Sequence, residues 1–450
     1  MKKKDLRSKE WFDNPKDPGL TALYLERYLN YGLKREDLQS GKPIIGIAQS
    51  GSDLSPCNRH FQALSNVIKD GIREAGGVPM EFPTHPIQET GKRPTAGLDR
   101  NLSYLSLVEV LYGYPIDGVI LTTGCDKTTP AALMAAATVN IPSIVLSGGP
   151  MLDGTYKGKK AGSGTIIWEA RRLHAKGEIS YEEFMDMAAA SAPSIGHCNT
   201  MGTASSMNSI AEALGMSLTG GAIIPAPYKE RESISFKTGK RIVEMVHEDL
   251  TPSKIMTKKA FENAIYVASA IGASSNCPPH LTAIARHMGI DFGIDNWEKL
   301  GHDIPLLVNC QPAGEHLMEG FFKAGGIPAI MQELMKNNKL HKDLMTVTGK
   351  TIAENLIEKI DIDENIIKSF KNPLVNNAGF IIMKSNFFNS AVMKTSVISS
   401  EFRKRYLSNP TSLNLFEANA VVFEGPEDYH LRINDESLNI DENSILMIRG

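Results

Sequence analysis

The sequence predicts an α/β protein: a parallel-sheet N-terminal domain with helices on both faces, followed by an incomplete, β-rich C-terminal domain. Three observations predict it. Short apolar runs alternate with helix-period segments over residues 43–371, the pattern of parallel strands joined by crossover helices. The turn from run to helix is repeatedly a small-residue polar loop carrying one cysteine. From 372 to 450 the texture shifts to short β-type runs, Phe380–Met383, Ala420–Phe423 and Ser444–Ile448, parted by turns such as Gly425-Pro426-Glu427-Asp428. So few strands have open edges and little core, and the second domain therefore reads as unfinished.

Taken in order, residues 1–42 are polar, with a helix expected over Leu20 to Leu33, and form an arm suited to packing on a neighbour. Pro43–Ala48 is a short apolar strand that runs into a polar loop containing Cys57 and His60. Phe61, Leu64, Val67, Ile68 and Ile72 then recur at helical spacing until Gly76-Gly77. Pro83 to Gly91 is a Pro-rich loop with one carboxylate, Glu89. The same grammar returns at Ile116–Leu121, a buried strand, followed by Gly124-Cys125-Asp126-Lys127-Thr128-Thr129-Pro130 and a run of helix formers to Val139. Thr129 fits the cap position of that helix and Pro130 its first turn. Ile141–Ser147 is another strand, closed by Gly148-Gly149-Pro150. A third loop, Gly196 to Thr203 with Cys198, enters a helix over Ala204–Leu214. Ala260–Ala273 reads as a buried helix and Ile304–Val308 as a strand.

The composition excludes several classes. The chain has 450 residues, 42% hydrophobic and 22% charged, with a net charge of −3. That balance argues against nucleic acid or an anionic membrane as partner. No apolar run is long enough to span a bilayer, and the charged start lacks a signal-peptide core, so a cytoplasmic protein is expected. Five cysteines, none in a CxxC pair, do not make a disulfide framework. Gly349-Lys350-Thr351 imitates the end of a P-loop, but Leu344 stands where its first glycine belongs. GxGxxG and GxSxG patterns are absent.

The turn at Cys125 admits two readings. It is either a capping loop with a buried cysteine and an Asp–Lys pair, or a site presenting a thiolate, a carboxylate and an amine where open α/β sheets bind ligands. The motifs tip the balance. SDLSPCNRH, GCDKTTP and GHCNTMGTA, in this order, resemble the dihydroxy-acid and sugar-acid dehydratase family, which includes phosphogluconate dehydratase. The resemblance covers essentially the whole chain and extends to Ser147–Met151, Ala211–Gly215 and Pro225-Ala226-Pro227. At GHCNTMGTA, ASSNCPPH and VNCQPAGE the sequence is most similar to the sugar-acid branch, that of the L-arabinonate dehydratases.

The resemblance implies a hydro-lyase acting on an aldonic acid, with L-arabinonate the leading candidate. Dihydroxy-acid dehydration in branched-chain amino-acid synthesis is the alternative, and an inactive homologue serving as a binding or regulatory module is the alternative of another class. It implies Cys57, Cys125 and Cys198 as ligands of a 2Fe–2S cluster with one iron left open as Lewis acid. It implies Mg²⁺ held by Glu89, Asp126 and a carbamylated Lys127, and an oligomer, a homodimer or homotetramer. It also implies a barrel-type C-terminal domain. In the family that domain continues beyond this chain's last strand and supplies a further carboxylate and a serine base, so the general base is not expected in this chain and activity of the chain alone is not expected. Cys277 and Cys310 have no counterpart among the ligands and read as buried or pocket-lining thiols. His60 and His197 fit a structural role beside a site-supporting one.

Overall fold

A computed structural model describes residues 5–30, 32–87, 97–384, 389–406 and 417–449. The chain divides into two compact units, Met1–Ser396 and Val397–Gly450.

The first unit is built on a four-stranded parallel sheet: β1 (Ile44–Gln49), β2 (Val78–Pro83), β3 (Gly118–Thr123) and β4 (Ser143–Ser147), in the spatial order β2-β1-β3-β4. Strands β1, β3 and β4 are buried along their whole length, as continuous apolar runs in a two-sided sheet must be. Edge strand β2 is only partly buried, and Pro79 and Pro83 blunt its free side. Alternate residues of β3 meet different layers. Gly118 lies against Ile242 and Val246, whereas Leu121 shares a cavity wall with Leu107 and Ala132. The sheet therefore carries helices on both faces.

Five helices position the loops: α1 (Phe61–Glu74), α2 (Gly97–Gly113), α3 (Thr128–Val139), α4 (Thr203–Ala213) and α5 (Lys229–Glu248). Helices α1 and α5 cross at two glycines. A methyl at Gly71 would meet the Phe236 carbonyl oxygen at 2.2 Å, and one at Gly239 the Ile68 carbonyl oxygen at 2.4 Å. Chain reversal puts β1 between β2 and β3, so the direction of winding switches between β1 and β3. Ligands bind at that crevice in open sheets.

Several local expectations shift. The helix expected over Leu20 to Leu33 runs over Pro18–Leu29, capped by Asp17, and a short helix, Lys9–Phe12, precedes it. The arm folds onto its own unit: Ser8 donates to Asp117 at 2.7 Å, Arg7 to the Ile116 carbonyl at 3.0 Å, and Phe12 is in the main core. Helix α3 starts at Thr128 with Lys127 at the cap position, because the Thr128 hydroxyl bonds back to the Cys125 carbonyl. Residues 304–308 do not form a ladder. Leu306 and Val308 make isolated antiparallel bridges to Val375 and Ile367.

Still in the first unit, β5 (Phe380–Met383) and β6 (Ala391–Lys394) pair antiparallel. The second unit holds two parallel strands, β7 (Asn419–Glu424) and β8 (Ser444–Arg449), with the helix Pro426–Arg432 between them in sequence. Among the described residues no helix is long and apolar enough to cross a membrane.

Candidate functional site

The loops that leave β1 and β3 touch at the switch point. The Cys125 amide donates to Asn58 Oδ1 at 2.9 Å, so the residue after Cys57 holds the backbone of the second cysteine. A methyl on Gly124 would lie 2.4 Å from that same oxygen and 3.3 Å from the Cys57 carbonyl oxygen, which makes the glycine a condition of the close approach. The Cys125 thiol donates to Asp126 Oδ1 at 2.9 Å. Thr128 closes the turn by accepting from the Gly124 amide and donating to the Cys125 carbonyl.

The third cysteine arrives differently. No strand precedes its loop. Instead the loop docks on the end of β4, with the His197 amide donating to the Gly149 carbonyl at 3.0 Å and Met151 returning a bond to the His197 carbonyl at 2.9 Å. His197 is fully buried, and its Nδ1–H donates to the Cys198 carbonyl at 3.0 Å. Cys198 itself is exposed.

Electrostatics link the three thiols. Apposition to Cys57 and then burial push the Cys125 thiol well above its ordinary value. The dense surroundings of Cys198 raise it to about 11, with the like charges of Cys125 and Asp126 adding to the rise. Cys125 is thus coupled to Cys57, and Cys198 to Cys125 and Asp126, so the Cys125 and Cys198 thiols are both held protonated. A cationic centre reverses this, since metal binding releases the thiol protons.

Lys127 points inward. Its side chain is fully withdrawn from solvent, and Nζ lies 3.9 Å from Asp99 Oδ2 on the first turn of α2. Asp126 is also buried. Glu89 lies outside the described residues, so the expected trio of magnesium ligands is visible here only at Asp126 and Lys127. Among the described residues no three His, Cys, Asp or Glu side chains close around a single ion. The cysteines sit on three separate loops, a donor set suited to a centre of several atoms rather than to one ion. Cys277 and Cys310 are buried.

Sequence reasoning missed three residues. Asn58 stands beside a cysteine but carries no signature of its own. Asn208, buried in α4, accepts from both Thr123 and Thr129 and donates to the Gly124 and Ala204 carbonyls, pinning the strand end, the turn and the helix together. A fully amidic residue amid the small side chains of α4 was its only signal. Asp99 has none. A cavity of about 1030 Å³ along the β2 edge, lined by Trp11, Tyr28, Met80, Phe82 and Tyr114 among others, contains none of the predicted site residues.

The chain is similar to known proteins over its whole length. Residues 42–355 match the dihydroxy-acid/6-phosphogluconate dehydratase N-terminal family model, and residues 365–450 the corresponding C-terminal model. The chain is 60% identical to a D-xylonate dehydratase of Caulobacter vibrioides over 444 residues, 99% of this chain and 74% of that relative. It is 42% identical to an L-arabinonate dehydratase of Rhizobium leguminosarum bv. trifolii, over 100% of this chain and 76% of the relative. A dihydroxy-acid dehydratase of Acetivibrio thermocellus is 37% identical over 82% of this chain and 67% of its own length. With both domain models matched and identity of this extent, the chain belongs to the dihydroxy-acid/6-phosphogluconate dehydratase family, whose members are hydro-lyases.

Proposed function

We propose that the protein dehydrates a five-carbon sugar acid to its 2-keto-3-deoxy acid, at a site where Cys57, Cys125 and Cys198 hold a 2Fe–2S cluster and Glu89, Asp126 and Lys127 hold Mg²⁺. The observation that carries this reading is the contact of the Cys57 and Cys125 loops at the switch point, with Asp126 and Lys127 buried on the same turn. The 60% identity to a D-xylonate dehydratase, against 42% to an L-arabinonate dehydratase, makes D-xylonate the first substrate to test. L-Arabinonate, favoured by the motifs alone, stands second.

When bound, the two metal centres supply Lewis acidity for departure of the C3 hydroxyl and for acidification of the C2–H. The chain's own residues supply placement. Asn58 and Thr128 fix the backbone on either side of Cys125, so the thiol direction is set before any ligand arrives. Asp99 sets the lie of the Lys127 amine. Carbamylation of that amine turns a buried cation into an oxygen donor for a hard metal. A carboxylate ligand and a thiol ligand at consecutive positions, Asp126 and Cys125, keep the hard and soft sites adjacent, as removal of a proton at C2 and of hydroxide at C3 of one substrate requires.

The test is turnover of D-xylonate, L-arabinonate, D-gluconate and 2,3-dihydroxyisovalerate by anaerobically prepared, iron-loaded protein with Mg²⁺, read as 2-keto acid formed. Preference for D-xylonate is the expected result. Turnover of the branched-chain substrate alone would move the protein to the other branch. Absence of all turnover with cluster present, persisting when the base-bearing C-terminal segment of a relative is supplied, would favour a binding or regulatory role.

A further inference from the structure

The loop Ser147-Gly148-Gly149-Pro150 carries no group with chemistry of its own, yet it touches all three cysteine loops. The Gly148 amide donates to the Thr123 carbonyl, one residue before Gly124-Cys125, at 2.6 Å. The Gly148 carbonyl accepts from His60 Nε2, three residues after Cys57, at 2.9 Å. The Gly149 carbonyl accepts from the His197 amide, next to Cys198, at 3.0 Å.

Behind this loop stands Arg231, on the first turn of α5 and fully buried. Its Nη1 donates to the Ser147 carbonyl at 2.5 Å and to the Gly221 carbonyl at 3.0 Å, and its Nη2 to the Ile224 carbonyl. Gly149 is pressed onto the guanidinium: at φ +84°, a methyl there would meet Arg231 Nη2 at 2.6 Å and the Ile224 carbonyl oxygen at 2.0 Å. Glu212, which accepts from the Gly220 and Ala222 amides at 2.7 and 2.9 Å, is the acidic group whose field favours the buried guanidinium, while burial raises Glu212 itself to about 7. Arg231 donates to backbone carbonyls alone among its hydrogen bonds, and its fork ties the loop to Gly221 and Ile224 beside two further bonds, from the Ser147 hydroxyl to the Ala222 carbonyl and from the Ala226 amide to the Pro150 carbonyl.

We infer that Arg231 is a positioning residue for the metal centre: through the Ser147–Pro150 loop it sets the mutual placement of the Cys57, Cys125 and Cys198 loops. This rests on the reading that those cysteines hold an iron–sulfur cluster. A planar fork with three carbonyl partners holds the loop in one geometry, whereas a lysine keeps the charge and loses the fork.

The experiment compares wild type, Arg231→Lys and Arg231→Met, purified anaerobically and reconstituted with iron and sulfide. The readouts are iron per chain, the visible spectrum, the electron paramagnetic resonance spectrum of the reduced cluster, and the melting temperature of the apo protein. Arg231→Lys should fold and bind iron but with altered resonance positions, and Arg231→Met should lose affinity for the cluster by about 10-fold or more. A merely structural arginine would shift the melting temperature without moving the spectra. Wild-type spectra and iron content in Arg231→Lys would overturn the inference, whether or not Arg231→Met folds. A further measurement needs no variant: in wild-type apo protein, hydrogen exchange of peptides spanning 147–151 should be as slow as in β4, and rapid exchange there would equally overturn it. Wild-type protein that binds no iron at all would sink the cluster reading instead, so the two failures are distinguishable.

Discussion

Asn58 and Cys125, 67 residues apart in sequence, are joined by a 2.9 Å hydrogen bond from the Cys125 amide to the Asn58 side-chain oxygen. Both residues are buried, so the bond has no water to replace it. It makes the first cysteine loop the template for the second. The backbone at Cys125 is thus held from the side by a residue of the first cysteine loop.

Replacing Asn58 with Ala leaves the Cys125 amide buried without its acceptor. The apo protein should lose about 1–3 kcal/mol of stability, and Asn58→Asp, which keeps an acceptor, should recover part of it. Denaturant unfolding of the three proteins measures both, and equal stability of Ala and wild type would refute the template role.

Gly124→Ala forces a methyl against Asn58 Oδ1 and the Cys57 carbonyl. The two loops must part, at a cost of about 1–3 kcal/mol, and the reconstituted variant should hold less iron per chain than wild type. Iron quantitation beside a melting curve checks the pair of effects.

Lys127→Met preserves bulk in a fully buried position and removes the amine. The fold should survive, while the Mg²⁺ concentration needed for half-maximal turnover rises by about 10–100-fold. Wild-type protein in carbonate-depleted buffer should show a smaller effect of the same kind, reversed by bicarbonate. An unchanged Mg²⁺ requirement in the variant would remove Lys127 from the proposed ligand set.

Burial lowers His60 from 6.5 to about 4, Arg231 adds to the fall, and the bond to the Gly148 carbonyl opposes it. The unfolded chain therefore binds a proton below pH 6.5 that the native imidazole refuses until about pH 4. The stability that neutral His60 contributes is present above pH 6.5 and is lost as pH falls through that window. The loss approaches about 1.4 kcal/mol per pH unit for this one group. His60→Gln should flatten the apo stability profile by that share between pH 6 and 4.5 or so, as measured by urea unfolding at each pH.

The fold was legible where burial is two-sided. Ile44–Gln49, Gly118–Thr123 and Ser143–Ser147 are apolar runs because both their faces are covered, and the helices after them carry clear periodicity. Residues 304–308 are equally apolar but make only isolated bridges, since burial alone does not specify a ladder partner. The cysteine loops were legible through their motifs. Asp99 was not, because its relation to Lys127 exists only once α2 lies across the start of α3. Arg231 looked like one more charged residue in a charged helix, and nothing in its neighbours announces that it turns inward. Glu89 rests on its loop motif alone.

The three cysteines are separated by 68 and 73 residues (125 − 57 and 198 − 125) and brought together by a sheet, a crossing of two helices and a buried arginine. The ties among the three loops are single hydrogen bonds between segments far apart in sequence, so a substitution that moves any one of the loops is passed to the other two through the Asn58 side chain and the Gly148-Gly149 turn.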